Sequence, residues 1–169
     1  MTNPEELGFD AARLARLPAR IHADIEAGRY HGAALCVSRH GRPVYCDVHG
    51  YADRDSGRRM DISDTFVSFS AGKQFTNALV LQRVERGELH LDMQIGDVIP
   101  AFRQRGKREM KLWHLLSHTS GIMAAIPAVP PEVLINITQL ADYLGSVRPD
   151  SAPGERVNYS IIAAHSVMA

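Results

Sequence analysis

Apolar positions recur with two different periods along the chain, and the change of period predicts where helices and strands lie. A helical stripe follows Asp10 and is formed by Leu14, Leu17, Ile21 and Ile25. We expect Asp10 to cap this helix, Pro18 to kink it or divide it into two, and Gly28 to end it.

Two apolar runs, 33–38 and 43–48, follow this helix and flank a short polar stretch that contains Gly41. Extended runs joined through a glycine-containing turn predict a β-hairpin. The polar residues 50–59 that come next are interpreted as a loop.

The second half of the chain is predicted to be mostly helical. Residues 66–87 hold a central helix whose apolar side chains leave little polar face, so we expect it to be buried on most sides. An extended connection over 89–99 follows. Short helices are predicted over 110–117, over 137–144 with Gly145 as its stop, and from Tyr159 onward.

Composition restricts the class of protein. The 169 residues carry 19 basic and 19 acidic side chains, so no overall field favours nucleic acid or an anionic membrane as a partner. The length predicts one domain, with the helix and hairpin in 1–60 and the mostly helical part in 61–169. The acidic start of the chain lacks the apolar run of a secretory signal, which predicts a cytoplasmic location. The oligomeric state stays open.

Cys36 and Cys46 are the two cysteines, and they fall on the two strands of the predicted hairpin. A disulfide between them is geometrically conceivable. Because cytoplasmic proteins keep their thiols reduced, we predict free thiols.

The candidate chemistry begins at Ser70-Ala71-Gly72-Lys73. Positions i and i+3 share one face of a helix, so the hydroxyl of Ser70 and the amine of Lys73 can meet. A serine becomes a nucleophile when a neighbouring base takes its proton, and a desolvated lysine can be that base.

Asn77 could reach Lys73 from the next turn, although a packed polar side chain is the favoured interpretation. His114 and His118 have the spacing of a metal pair but no third ligand, so structural roles, with no metal or cofactor, are predicted.

Four segments together resemble the serine β-lactamase and penicillin-binding-protein superfamily, in its class C-like branch of related esterases. They are the hairpin with Gly50-Tyr51-Ala52-Asp53, the segment Phe69-Ser70-Ala71-Gly72-Lys73, Leu115-Leu116-Ser117-His118-Thr119-Ser120-Gly121, and Pro153-Gly154 leading to Tyr159-Ser160. They stand in the family's order.

The resemblance implies an α/β fold of the α+β type. This is a β-lactamase-like fold, truncated to its N-terminal portion and lacking the C-terminal strands. It also implies that Ser70 accepts the acyl group, that Lys73 helps to deprotonate and orient it, and that Tyr159 is the general acid and base. The implied function is a serine hydrolase that acts through an acyl-enzyme on a small ester or amide substrate, and less readily on a β-lactam. An acyltransferase or transesterase, and an inert fragment or binding relative, remain as alternatives.

The chain departs from the family pattern at two points. The usual Tyr-x-Asn is replaced by Tyr159-Ser160-Ile161, so the amide that contacts substrate and lysine in the family is missing. No Lys-Thr-Gly or His-x-Gly strand follows Tyr159. In the family that strand supplies one of two oxyanion-hole donors, and loss of one such donor costs about 10²–10³ in turnover. We therefore expect a truncated hydrolase with weak or no activity of its own.

Overall fold

A computed structural model describes residues 2–169. The chain divides into two compact units, one ending at Val67 and the other spanning Ser68–Ala169. The first unit contains α1 (Ala11–Leu14), α2 (Arg16–Glu26), β1 (Gly32–Arg39), β2 (Arg42–Asp53) and β3 (Arg58–Arg59). The second contains α3 (Gly72–Glu85), α4 (Ile95–Val98), α5 (Leu112–Leu116), α6 (Pro131–Ile135), α7 (Ile137–Ser146) and α8 (Ala163–Met168).

The start of the first helix follows the prediction, but its break lies earlier than expected. The side chain of Asp10 accepts a hydrogen bond from the backbone of Arg13 and so caps α1. The helix divides at Ala15, between α1 and α2, and not at Pro18. Pro18 instead falls in the first turn of α2, where its missing N–H has no intrahelical partner to lose.

The predicted hairpin is confirmed, and it is larger than the sequence indicated. β1 and β2 pair in antiparallel fashion, with an irregularity in register between Val37 and Ser38. The turn uses His40 and Gly41, both at positive φ, which suits the twist of a hairpin. The predicted polar loop over 50–59 is wrong at both ends, because β2 continues to Asp53 and pairs with β3.

The prediction of free thiols is wrong. Cys36 lies directly opposite Cys46 in the register of β1 and β2, and the two form a disulfide. Cross-strand neighbours bring their side chains close together on one face of the sheet, so this register places the two sulfurs within bonding distance. The prediction gave more weight to the assumed compartment than to this register.

The core of the second unit is built by short helices. Its fully buried side chains include Phe102, Met110, Leu115, Leu140 and Leu144. Residues 89–99 are not simply extended, because α4 forms within them, and the 3₁₀ turn Pro100–Arg103 follows. The predicted helix over 110–117 is present as α5.

The central helix α3 contradicts its predicted burial. Val80 is its one buried residue, and Val84 packs partly against the core. Phe75 is 70% exposed and Leu79 is 64% exposed. One edge of the helix therefore meets the core of the second unit, and its other apolar side chains lie at the surface of the described residues. An apolar pattern around a helix reports its capacity for burial and does not identify its neighbours.

Two helix boundaries also differ from prediction. Gly145 lies inside α7 and does not end it. The glycine permits close packing, because a Cβ at this position would lie 2.3 Å from the Ala101 Cβ. Tyr159 precedes α8, which begins only at Ala163. None of the helices within residues 2–169 is long and apolar enough to cross a membrane.

Candidate active site

Ser70 and Lys73 meet at the start of α3. Ser70 lies in the 3₁₀ turn Phe69–Ala71, which leads directly into the helix, and Lys73 follows one turn later. The Lys73 Nζ lies 3.3 Å from the Ser70 Oγ and donates to it. The i, i+3 spacing therefore brings the two groups together as the sequence indicated. Ser70 also stands at the helix end where the dipole favours developing negative charge.

The backbone immediately before Ser70 is strained. Phe69 has a φ of 42°, in a region that bulky residues rarely adopt. Such a conformation costs about 1–3 kcal/mol and persists where the surrounding structure enforces it. The side chain of Phe69 is exposed, so no burial of its ring offsets this strain. The strain is therefore located at the residue that presents the serine.

A backbone carbonyl from the far end of the chain holds the lysine. The Lys73 Nζ donates to the carbonyl oxygen of Ile161 at 2.6 Å, and it lies 5.2 Å from the centre of the Tyr159 ring. The asparagine amide of the family motif is absent, but the main chain at the same position supplies an oxygen to the lysine. Sequence reasoning missed this contact because every residue has such a carbonyl.

Tyr159 lies beside both groups, with about half of its surface exposed. Hydrogen bonding to the Ser70 hydroxyl, and then to the Lys73 ammonium, lowers the pKa of Tyr159 below its usual value of 10.0. The charge of Lys73 acts in the same direction, because an adjacent cation favours the phenolate. The structure thus brings together the three residues that the sequence singled out.

The segment that carries Tyr159 alternates between inward and outward positions. Val157, Tyr159 and Ile161 are exposed, whereas Asn158 is partly buried and Ser160 is buried. The buried Ser160 Oγ accepts a hydrogen bond from the backbone of Ala164 at 3.0 Å, at the start of α8. Tyr159 therefore stands on the outward side of a segment that is anchored through its neighbours.

The loop 118–121 provides much of that anchoring. Three backbone hydrogen bonds of 2.8 Å join it to the segment 150–158: Asn158 donates to His118, Gly154 to Thr119, and Asp150 to Gly121. Gly121 is required here, because its φ is 76° and a Cβ would lie 2.1 Å from the Ser151 carbonyl oxygen. Two motifs that are distant in sequence thus form one structural unit.

Two histidines and an asparagine lie behind the tyrosine. The His118 ring packs between those of Tyr159 and His165, with centroid distances of 4.6 Å and 5.4 Å. The His165 Nε2 lies 3.0 Å from the Asn77 Oδ1, so Asn77 is a packed polar partner of this histidine. Burial lowers the pKa of His118, and it lowers the pKa of His165 to about 4. Both rings are therefore neutral at pH 7, next to the charged Lys73.

The histidine pair suggested by the i, i+4 spacing is divided between two roles. The His114 Nδ1 accepts a hydrogen bond from the Lys111 backbone at the start of α5, whereas His118 faces Tyr159. Burial lowers the pKa of His114 as well. Among residues 2–169, no three or more histidine, cysteine or acidic side chains are grouped so that they could hold a metal ion.

Comparison with known proteins identifies the class to which this fold and site belong. The family model described as Beta-lactamase matches residues 17–169. The chain therefore belongs to the beta-lactamase family of mixed helix-and-sheet proteins, which includes esterases and penicillin-binding proteins.

Individual relatives agree with this assignment. Esterase EstB of Burkholderia gladioli is 38% identical over 125 residues, which cover 71% of this chain and 32% of that protein. The structure of EstCE1, a hydrolase with promiscuous acyltransferase activity, matches 92% of this chain and 45% of its own, with 25% identity and a TM-score of 0.78. A penicillin-binding protein homolog from Caulobacter crescentus shares the fold at 22% identity, with a TM-score of 0.85 over 95% of this chain and 43% of its own. The chain thus spans about a third of the curated esterase and less than half of the solved structures.

Proposed function

We propose that this chain carries the nucleophilic half of a serine hydrolase that acts on small esters through an acyl-enzyme at Ser70. The observation that carries the proposal is the convergence on Lys73, whose Nζ contacts the Ser70 Oγ at 3.3 Å and lies 5.2 Å from the Tyr159 ring. Membership of a hydrolase family supports the reaction class.

The proposed reaction proceeds in two stages. The Ser70 oxygen bonds to the ester carbonyl carbon as its proton passes to the Tyr159 phenolate, which the Lys73 ammonium stabilises. The tetrahedral intermediate collapses to the acyl-enzyme, and the departing alkoxide takes the proton from Tyr159. Water then attacks the acyl carbon, and its proton returns to Ser70 through the same tyrosine. The lowered pKa of Tyr159 favours this residue as the base, because it favours the phenolate that the first step requires.

The identity of residue 161 favours esters over β-lactams. The family's asparagine offers a side-chain amide to substrate and lysine, whereas Ile161 offers only its carbonyl to Lys73. The lysine keeps its partner, but no amide at this position is available to the substrate. An ester is the less demanding acyl donor, so p-nitrophenyl acetate is the probe to use, with a chromogenic cephalosporin as the lactam comparison.

Acyl transfer to an alcohol is the second candidate. EstCE1, whose structure matches this chain, is a hydrolase with promiscuous acyltransferase activity, so one protein of the same fold combines the two reactions. The chemistry differs only in the second stage, where an alcohol replaces water as the acceptor. Adding methanol to a p-nitrophenyl acetate reaction distinguishes the two, because a transferase yields methyl acetate in excess of the ratio found in an uncatalysed control.

Covalent labelling of Ser70 tests the proposal directly. A fluorophosphonate forms an Oγ–P bond with an activated serine and releases fluoride. We expect the full chain to be labelled on the peptide that contains Ser70 and Ser70→Ala to be unlabelled. Ser68→Ala is the matched control, because Ser68 is an exposed serine two residues earlier and should leave labelling intact. Equal labelling of the chain and of Ser70→Ala would refute the proposal. Labelling without turnover of p-nitrophenyl acetate would show an activated serine in a chain that does not complete the cycle.

A further inference from the structure

His118 contacts Tyr159 and both of its neighbours. Its carbonyl accepts the backbone N–H of Asn158 at 2.8 Å, and its Nδ1 accepts the backbone N–H of Ser160 at 3.2 Å. Its ring packs against the Tyr159 ring with 4.6 Å between centroids. One residue thus holds the main chain on both sides of the tyrosine and also supports its ring.

The bond to Ser160 requires one particular state of the imidazole. Because Nδ1 accepts a hydrogen bond, a neutral ring carries its proton on Nε2. A proton added at Nδ1 would point at the Ser160 N–H and abolish the bond. The surroundings oppose that protonation, since burial and the charge of Lys73 hold the pKa of His118 below its usual value of 6.5.

The titratable groups that face His118 come from three elements. Lys73 approaches from α3, Tyr159 from the segment before α8, and His165 from α8 itself. His165 is neutral at pH 7, because its own pKa falls to about 4. Of the two histidines, His118 is the one whose ring nitrogen accepts a backbone hydrogen bond beside Tyr159.

The backbone of His118 adds a second constraint. Its φ is 56°, in the left-handed region that histidine, aspartate and asparagine tolerate better than most residues. An asparagine at this position can keep that conformation and offer its Oδ1 in place of Nδ1, and it does not titrate. An alanine neither favours the left-handed conformation nor offers an acceptor to the Ser160 N–H.

We propose that His118 is a positioning residue for Tyr159. The uncharged His118 ring holds the segment 158–160 so that the phenol lies beside Ser70 and Lys73, and protonation of this ring releases the segment. The proposal rests on the proposed function for its kinetic consequence. Its structural consequence, the response of Tyr159 to the charge of His118, does not depend on any activity.

The test combines labelling rates with nuclear magnetic resonance on the full chain. The fluorophosphonate labelling rate of the unchanged protein should fall as pH drops through the His118 pKa. His118→Ala should label about fivefold more slowly at pH 7.5, the effect expected for one lost hydrogen bond. His118→Asn should recover most of that loss and lack the acid fall that follows the His118 titration. His114→Asn is the matched control, because His114 also accepts a backbone N–H at Nδ1, but that N–H belongs to Lys111 at the start of α5 and not to a neighbour of Tyr159. Its profile should stay unchanged.

Resonance measurements separate this proposal from the proposed function. The ¹³Cζ signal of Tyr159 should shift with the pKa read from the imidazole ¹⁵N signals of His118, even in Ser70→Ala. A Tyr159 signal that does not follow the His118 titration would overturn the proposal, whether or not any labelling occurs. An acid fall that persists in His118→Asn would overturn it as well.

Discussion

Replacement of Gly121 by alanine is expected to damage the second unit more than the same change at any open left-handed glycine. A left-handed conformation costs an alanine about 1–2 kcal/mol. Reduced freedom of the unfolded chain returns about 0.4–1 kcal/mol. The net cost from φ alone is therefore about 1 kcal/mol.

Gly121 carries a further cost that arises from its neighbours. The added Cβ would lie 2.1 Å from the Ser151 carbonyl oxygen and 3.0 Å from its carbon, both main-chain atoms that cannot rotate away. The loop 118–121 and the segment 150–158 would have to move apart until the Cβ reached van der Waals distance from Ser151. This movement would break the 2.8 Å hydrogen bond from Asp150 to Gly121 and strain the one from Gly154 to Thr119. At about 0.5–1.5 kcal/mol for each bond, the total loss reaches about 2–4 kcal/mol.

Gly87→Ala isolates the two contributions. Gly87 has a φ of 71° in the same unit, and nothing lies within 4 Å of a Cβ built there. Urea denaturation of both variants, monitored by circular dichroism, should give a free energy of unfolding that is lower for Gly121→Ala by about 1–3 kcal/mol. Equal losses in the two variants would refute this reasoning, because they would show that the contact with Ser151 relaxes without cost.

Three further predictions concern charge, protonation and the disulfide. Lys73→Met should raise the pKa of Tyr159 toward 10.0, since the ammonium lowers it both by hydrogen bonding and by its charge; an unchanged ¹³Cζ titration would contradict this. The pKa of His165 is about 4 in the folded state, below its usual value of 6.5, so its neutral ring contributes stability that is present above pH 6.5 and is lost as the pH falls toward 4. The urea midpoint should therefore depend less on pH in His165→Gln than in the unchanged protein. The same pH dependence of the midpoint in both proteins would argue against burial of this ring. The Cys36–Cys46 disulfide joins residues with a sequence separation of 10, and its reduction should lower the free energy of unfolding by about 3 kcal/mol. The double variant Cys36→Ser/Cys46→Ser should no longer respond to reductant. A urea midpoint of the unchanged protein that does not depend on reductant would contradict the presence of the disulfide.

Local patterns in the sequence anticipated the local parts of this fold. The cap at Asp10, the hairpin and the short helix α5 each depend on neighbouring residues, and each lies where the pattern indicated. The contact of Ser70 with Lys73 belongs to the same group, because helical spacing alone brings the two side chains together.

Features that depend on distant segments were missed or predicted wrongly. The exposed apolar side chains of α3 and the packing of Gly145 against Ala101 are decided by which elements become neighbours. The carbonyl of Ile161 and the backbone amides beside Tyr159 have no side-chain signature that a sequence could reveal. The left-handed residue His118 shows the same difficulty, since its importance comes from a conformation and not from its spacing to His114.

The alternation around Tyr159 has a consequence for how this site can be varied. His118 holds positions 158 and 160 through their amide hydrogens, which every amino acid except proline supplies. The side chains at 157 and 161 are exposed, although the backbone of Ile161 donates to the carbonyl of Ala124 and accepts from Lys73. Randomising Val157 and Ile161 while excluding proline from 158, 160 and 161 would therefore diversify the surface presented to a substrate without removing the hydrogen bonds that hold the tyrosine's segment.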